Sequence, residues 1–166
     1  MAGYELVDGE LVEVMPAGMT HGRLTGEVYA RLREHTQRHP SGRVYIDLGY
    51  VLPLPHDPER LRGPDVSYLN NQTIATSGGE VEWFFHGAPD LAIEIESPTR
   101  PPNLQQRIHD YLDAGTRLIW VIHTLTRSAT VYHRDGSARL PRESDVLDGE
   151  DVLPGLRIEL RELFEA

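Results

Sequence analysis

The sequence predicts a single α/β domain in which a mixed central β-sheet is flanked by helices and preceded by an N-terminal β-hairpin. Three observations predict it. Two alternating segments, 4–7 and 10–14, flank Asp8-Gly9, a strong hairpin signal. Strand-like runs then alternate with segments of helical period, the order that lays helices on the faces of a sheet. Residues 118–122 are all apolar, as a central strand covered on both faces requires.

The elements follow in order. Thr20 is a suitable N-cap for a helix over 20–35. Within it His21, Leu24, Val28 and Leu32 recur at three and four residues and define one buried face. Pro40-Ser41-Gly42 closes it. Residues 43–52 read as one long strand with Val44, Ile46, Leu48, Tyr50 and Leu52 on a shared face. The stretch 53–63, with three prolines, reads as a loop, and 65–69 as a short strand. The polar stretch 70–88, with its aromatic knot Trp83-Phe84-Phe85, has room for a short strand or helix and shows no clean period. Residues 91–96 form a strand with Leu91, Ile93 and Ile95 facing one way and Ala92, Glu94 and Glu96 the other. Pro98, Pro101 and Pro102 enforce a loop. Asn103 then caps a helix to Ala114 that buries Leu104, Ile108, Tyr111 and Leu112, with Gly115 as its stop. A strand over 118–123, a hairpin arm over 128–133 ending at Asp135-Gly136, an alternating segment at Leu156, Ile158 and Leu160, and a short helix at Leu163-Phe164 complete the chain. No repeat or linker divides it, so residues 1–166 are expected to form one domain.

Composition narrows the chemistry. The absence of cysteine excludes disulfides and thiolate sites and fits a reducing cytoplasm. The first residues lack the basic and apolar regions of a signal peptide, and no apolar run approaches the roughly 18 residues of a membrane span. A cytoplasmic location with no membrane partner is therefore expected. The net charge is −10, from 16 basic and 26 acidic residues. Every basic residue is arginine, a bidentate phosphate clamp that does not give up its proton. Arg60, Arg62, Arg100, Arg107 and Arg117 flank the segments that hold the candidate acids. Any nucleic-acid contact has to come from such local clusters, because the overall charge repels phosphate.

Two Pro-Asp pairs and a Glu-x-Glu carry the chemical signal. Pro64-Asp65 opens one strand, and Pro89-Asp90 opens another that carries Glu94 and Glu96. Asp65 and Glu94 are 29 residues apart, enough for two neighbouring strands and a connection. Glu94 and Glu96 share one strand face, where two like charges are tolerated if a cation sits between them or the face is wet. Oxygen ligands of this kind suit Mg²⁺ or Mn²⁺. Blander roles exist for each residue. Asp65 and Asp90 are also what a turn needs at a strand start. Glu94 suits an exposed edge and Glu96 a solvated rim. Arg107 suits a surface pair with Asp110 or Asp113, and His21 a helix start. His35 and His39 read as surface residues, and the aromatic knot reads as core or subunit contact.

Further motifs lie in a fixed order along the chain: residues 4–11 (YELVDGEL), His21 opening the first helix, 62–66 (RGPDV), 89–98 (PDLAIEIESP), 111–115 (YLDAG), 119–122 (IWVI) and 153–156 (LPGL). This ordered set resembles the Uma family of restriction endonucleases, within the PD-(D/E)xK nuclease superfamily. The resemblance implies a restriction-endonuclease-like fold and hydrolysis of DNA phosphodiester bonds by water activated on Mg²⁺ or Mn²⁺. It implies Asp65 and Glu94 as the metal-ligating acids and the backbone carbonyl of Ile95 as a third ligand. Glu5, Glu10 and His21 would line the same pocket. A homo-oligomer, most simply a dimer, is expected.

The chain departs from the pattern at three points. Glu96 stands where the superfamily has lysine. Arg107 stands where family members often carry that lysine, four residues before the tyrosine. His123 replaces the usual Asp after the central strand. Glu96 could serve as base or extra ligand with Arg107 stabilising negative charge. Otherwise the chain is a degenerate member, a catalytically inactive module for protein interaction. A metal-dependent phosphohydrolase of small substrates would use the same acids.

Overall fold

The computed structural model describes residues 3–98 and 103–166, so the expected contributions of Arg100, Pro101 and Pro102 lie outside the described residues. Strands β1 (Gly3–Val7) and β2 (Glu10–Val14) form the expected hairpin. Asp8 and Gly9 take φ of 51° and 78°, the left-handed pair that a two-residue turn of this twist demands. Helix α1 (Met19–Arg38) buries the four residues of the expected face, His21, Leu24, Val28 and Leu32. It starts at Gly18, which caps it without a side-chain bond. Thr20 is therefore inside the helix and does not cap it. The helix runs on to the residues just before Pro40, which has no N–H to continue it.

The long strand expected over 43–52 is two strands, β3 (Gly42–Ile46) and β4 (Tyr50–Val51). Asp47 breaks it at φ 51°, a left-handed conformation that ends an extended run. The shared face does not exist: Ile46 is exposed, while Tyr50 and Leu52 are fully buried. The expected loop contains β5 (Leu61–Arg62), which pairs with both β1 and β4. Next come β6 (Val66–Asn70), α2 (Asn71–Thr76) and β7 (Phe85–His86). The unassigned stretch thus holds both a helix and a strand. Asn70 caps α2 by accepting from Thr73 N–H at 2.7 Å. Phe85 is buried edge-on against Tyr50, with ring centroids 5.7 Å apart, whereas Trp83 is exposed.

The second half follows the pattern closely: β8 (Leu91–Glu96), α3 (Leu104–Ala114), β9 (Leu118–His123) and β10 (Ser128–His133). Leu104 and Leu112 are only partly covered; Arg107, Ile108, Asp110 and Tyr111 are the buried residues of α3. The short strands β11 (Ala138–Arg139), β12 (Val146–Asp148) and β13 (Arg157–Glu159) and helix α4 (Leu160–Glu165) end the chain.

The main sheet has the order β11-β10-β9-β8-β6-β3. It is mixed: β8 and β9 are parallel and their neighbours antiparallel. Apolar clusters cover both of its faces. Leu24, Val28, Ile93, Ile95, Trp120 and Leu163 lie on the side of α1 and α4. Tyr50, Ala92, Ile108, Tyr111, Ile119 and Val121 lie on the side of α3. The hairpin belongs to a second sheet, β2-β1-β5-β4-β7, and β12 and β13 form a small third. Among the described residues no helix is long and apolar enough to cross a membrane.

Candidate active site

The register of the main sheet brings the two acids into line. Antiparallel β6 and β8 pair Val66 with Ile93, and one further step sets Asp65 opposite Glu94. Both are buried, Asp65 at 1% and Glu94 at 0% exposure. Asp65 Oδ2 accepts from the Ile95 N–H at 2.6 Å, so its carboxylate is tied to the strand that carries Glu94. His21, at the start of α1, places Nε2 3.1 Å from Asp65 Oδ1, at ion-pair distance but outside hydrogen-bond alignment.

Behind Glu94 lies Arg107 on α3, one helical turn before Tyr111. Its Nε and Nη2 donate to Glu94 Oε1 at 3.1 and 2.7 Å, and Nη2 also donates to the Gly63 carbonyl at 2.8 Å. Nη1 donates to Glu5 Oε1. Tyr111 adds its hydroxyl to Glu94 Oε1 at 2.8 Å. All three nitrogens of Arg107 are therefore used inside the protein. Burial would lower the Arg107 pKa, but Glu94, Tyr111 and Glu5 hold it well above its ordinary value. Burial, followed by Glu94, pushes the Tyr111 phenol well up. A surface pair between Arg107 and Asp110 or Asp113 is thus not what forms.

Glu5, from the hairpin, continues the charge chain. It accepts from Arg62 at 2.9 Å and from the Gly63 N–H at 3.0 Å. Burial alone would raise its pKa. Arg107, the Gly63 N–H and Arg62 outweigh burial and hold it below its ordinary 4.5. Arg62 also donates to Asp110 at 2.8 Å, and Arg60 donates to the same Asp110 oxygen at 3.0 Å. Arg60 reaches on to Asp57 and Asp8, both at 2.6 Å. The result is an alternation of charge from Glu94 to the hairpin turn, buried up to its exposed last member, Asp8. Its members beyond Arg107 were unreadable as a set: their sequence separations, such as 57 between Glu5 and Arg62, leave no periodic trace.

Glu96 shares the face of Glu94 but sits half-exposed at the strand end, where its Oε2 meets His123 Nδ1. His123 Nε2 in turn lies 2.8 Å from Thr130 Oγ1. Parallel pairing of Glu96 with His123 produces this contact. Glu10 is exposed beside the hairpin turn and lines neither cavity that holds the other residues. Asp90 accepts from the backbone and side chain of Asn70 at 2.8 and 3.0 Å, a structural bridge between β6 and β8. Glu5, Glu94, Glu96 and Arg107 line one cavity of about 280 Å³. Asp65, His21 and Glu5 line a second, of about 570 Å³, between the hairpin and α1.

Among the described residues no three His, Asp or Glu side chains cluster closely enough to hold a metal ion. The donors present follow a sparser pattern: two buried carboxylates, Asp65 and Glu94, at facing strand positions, lining neighbouring but separate cavities. Mg²⁺ is commonly held by one or two carboxylates, with waters and substrate phosphate completing the shell.

A mixed sheet clad by helices on both faces, with Asp65 just before β6 and Glu94 within the adjacent β8, defines the class: an α/β fold with two buried acids on neighbouring strands. A solved structure from Anabaena variabilis, described as a "putative nuclease belonging to DUF820", superimposes with a TM-score of 0.85. It is 19% identical, over 98% of this chain and 89% of that one, a likeness of fold. The family model described as "Putative restriction endonuclease" (Uma2) matches residues 2–161, and the chain belongs to that family. No curated protein matches it.

Proposed function

We propose that the protein is a metal-dependent endonuclease that hydrolyses phosphodiester bonds in DNA at the Asp65–Glu94 pair. The observation that supports it most is the strand register that sets these two buried acids opposite one another, with a fully committed guanidinium behind Glu94. Asp65, Glu94 and the Ile95 carbonyl would hold Mg²⁺ or Mn²⁺. When bound, such an ion supplies activation of the attacking water and charge stabilisation at phosphorus. The chain's own residues do the rest. The Ile95 N–H orients Asp65. Arg107 and Tyr111 fix the Glu94 carboxylate by donating to its Oε1. Arg107 stays protonated and has no nitrogen left over, so it acts through Glu94 and not as a base. Glu96 at the rim, held against His123, would accept a proton from the attacking water. Glu96 and Ser97 also line a larger groove, so a polymer has a way in.

The test is nicking of plasmid DNA with Mg²⁺ or Mn²⁺, wild type against Glu94→Ala. Cleavage by the wild type alone, falling by at least a hundredfold in the variant, is expected. No cleavage under any metal, salt or pH condition, or equal cleavage by both, removes the enzyme reading. Assembly as a homodimer belongs to the same proposal and is read by sedimentation.

Two observations favour a second reading, a non-catalytic module for protein interaction. Glu94 Oε1 already takes three donors, and the chain carries −10. Calorimetry with Mn²⁺ separates the two: saturable binding lost in Asp65→Ala counts against the inactive module.

A further inference from the structure

Three cavities meet at or beside the candidate acids, and they differ in charge. Among the described residues, the small one behind Glu94 carries Glu5, Glu13, Glu94 and Glu96 against Arg107. The one between the hairpin and α1 carries Glu5, Asp47 and Asp65, and no arginine among the described residues of its walls. The third is a groove of about 820 Å³ beyond β9 and β10, and it shares Glu96 and Ser97 with the first. Its walls hold Arg127, Arg142 and His123 and the hydroxyls of Thr124, Thr126 and Ser128. Its two acids among the described residues both have partners within the protein, Glu96 with His123 and Glu143 with Arg127.

A phosphodiester approaching a protein of net charge −10 needs a local path on which its own charge is not opposed. Two of the three cavities oppose it. The groove opposes it least, with Arg127 and Arg142 against Glu96 and Glu143 among its described walls, and it supplies what a single phosphate binds: the guanidinium of Arg142, since Arg127 is taken by Glu143, and hydroxyls that each keep donor or acceptor capacity beyond one bond. Thr126 and Ser128 already bond each other at 2.7 Å, which fixes one wall. Arg127 is held by Glu143 and lies over the Phe164 ring at 5.1 Å, so its side chain is ordered before any ligand arrives. Arg142 is exposed at the rim, on the loop that Ala129 N–H ties through the Pro141 carbonyl to β10.

We propose that this groove binds the sugar–phosphate backbone of the DNA strand next to the scissile bond, with Arg142 as a phosphate contact. This rests on the endonuclease reading above and adds to it the direction in which the strand leaves the acids: past Glu96 and His123 toward the β9–β10 turn, not under the hairpin.

The experiment is fluorescence anisotropy with labelled single-stranded and duplex DNA at several salt concentrations, using wild type, Arg142→Glu and Arg43→Glu. Both substitutions change the net charge equally. Arg43 lies on β3, at the opposite edge of the main sheet from β10, and serves as the control. The expected result is an affinity loss of about tenfold in Arg142→Glu, with the slope of log K against log salt shallower by about 1. Arg43→Glu should match the wild type. Equal losses in both variants mean that only overall charge is sensed, and overturn the groove. A wild type that cleaves DNA while Arg142→Glu binds as tightly overturns the groove and leaves the endonuclease standing. A wild type that neither binds nor cleaves DNA overturns both.

Discussion

Replacing Arg107 with methionine removes a guanidinium from between two buried carboxylates, Glu94 and Glu5. Breaking a buried pair from one side costs about 3–5 kcal/mol, so thermal denaturation should show a large loss of stability. Arg107→Lys keeps the charge but not the fork that reaches Glu94, Glu5 and Gly63 together, and should recover only part of it. The inward direction of Arg107 was legible, because it shares a helical flank with Leu104 and Tyr111. Its second partner, 102 residues away on the hairpin, was not, since nothing local marks such a pair. Glu5 carries a prediction of its own. Its carboxyl sits below its ordinary 4.5 in the folded chain, so between that value and its depressed folded value the unfolded chain binds more protons. The stability from Glu5 is present above pH 4.5 and is lost as pH falls through the depressed value. Melting temperature followed against pH should therefore fall more steeply on acidification in wild type than in Glu5→Gln.

Whole elements were legible where one period governed them and failed where two forces competed. Strands β8, β9 and β10 lie where their alternation and apolar runs put them. The long strand over 43–52 failed at Asp47, whose left-handed backbone no hydrophobic pattern announces. Two-residue β5 is too short to show any period; it is held by the ion pairs of Arg60 and Arg62, both buried. Glycines at element ends give a graded test. Gly115 closes α3 at φ 103° with open space around it, so Gly115→Ala should cost about 1 kcal/mol by denaturant titration. At Gly42 a Cβ would sit 2.1 Å from the Leu69 carbonyl and 2.7 Å from Asn70 Cα. Backbone atoms cannot yield as a side-chain tip can, and Gly42→Ala should cost more, about 2–3 kcal/mol. Asp110 on α3 receives both Arg60 and Arg62. Asp110→Asn should loosen the hairpin from α3, seen as faster amide exchange in β1 and β2.

At the scale of the molecule, the sequence predicted a helix-clad mixed sheet with a leading hairpin, and that is what forms. The division of the strands into two large sheets was hidden, because the segment that links them looks like a single strand. The two acids could be named from motifs, whereas the arginine ladder that anchors Glu94 depends on contacts made only after folding. That linking segment has a mechanical consequence. Residues 42–51 are one covalent spar whose first half is stitched to β6 and whose second half is stitched to β5 and β7. The hairpin's sheet has no way to peel off without tugging the main one across only three residues of slack. A single calorimetric transition, with the amides of Val44 and Tyr50 becoming labile together, is the expected outcome.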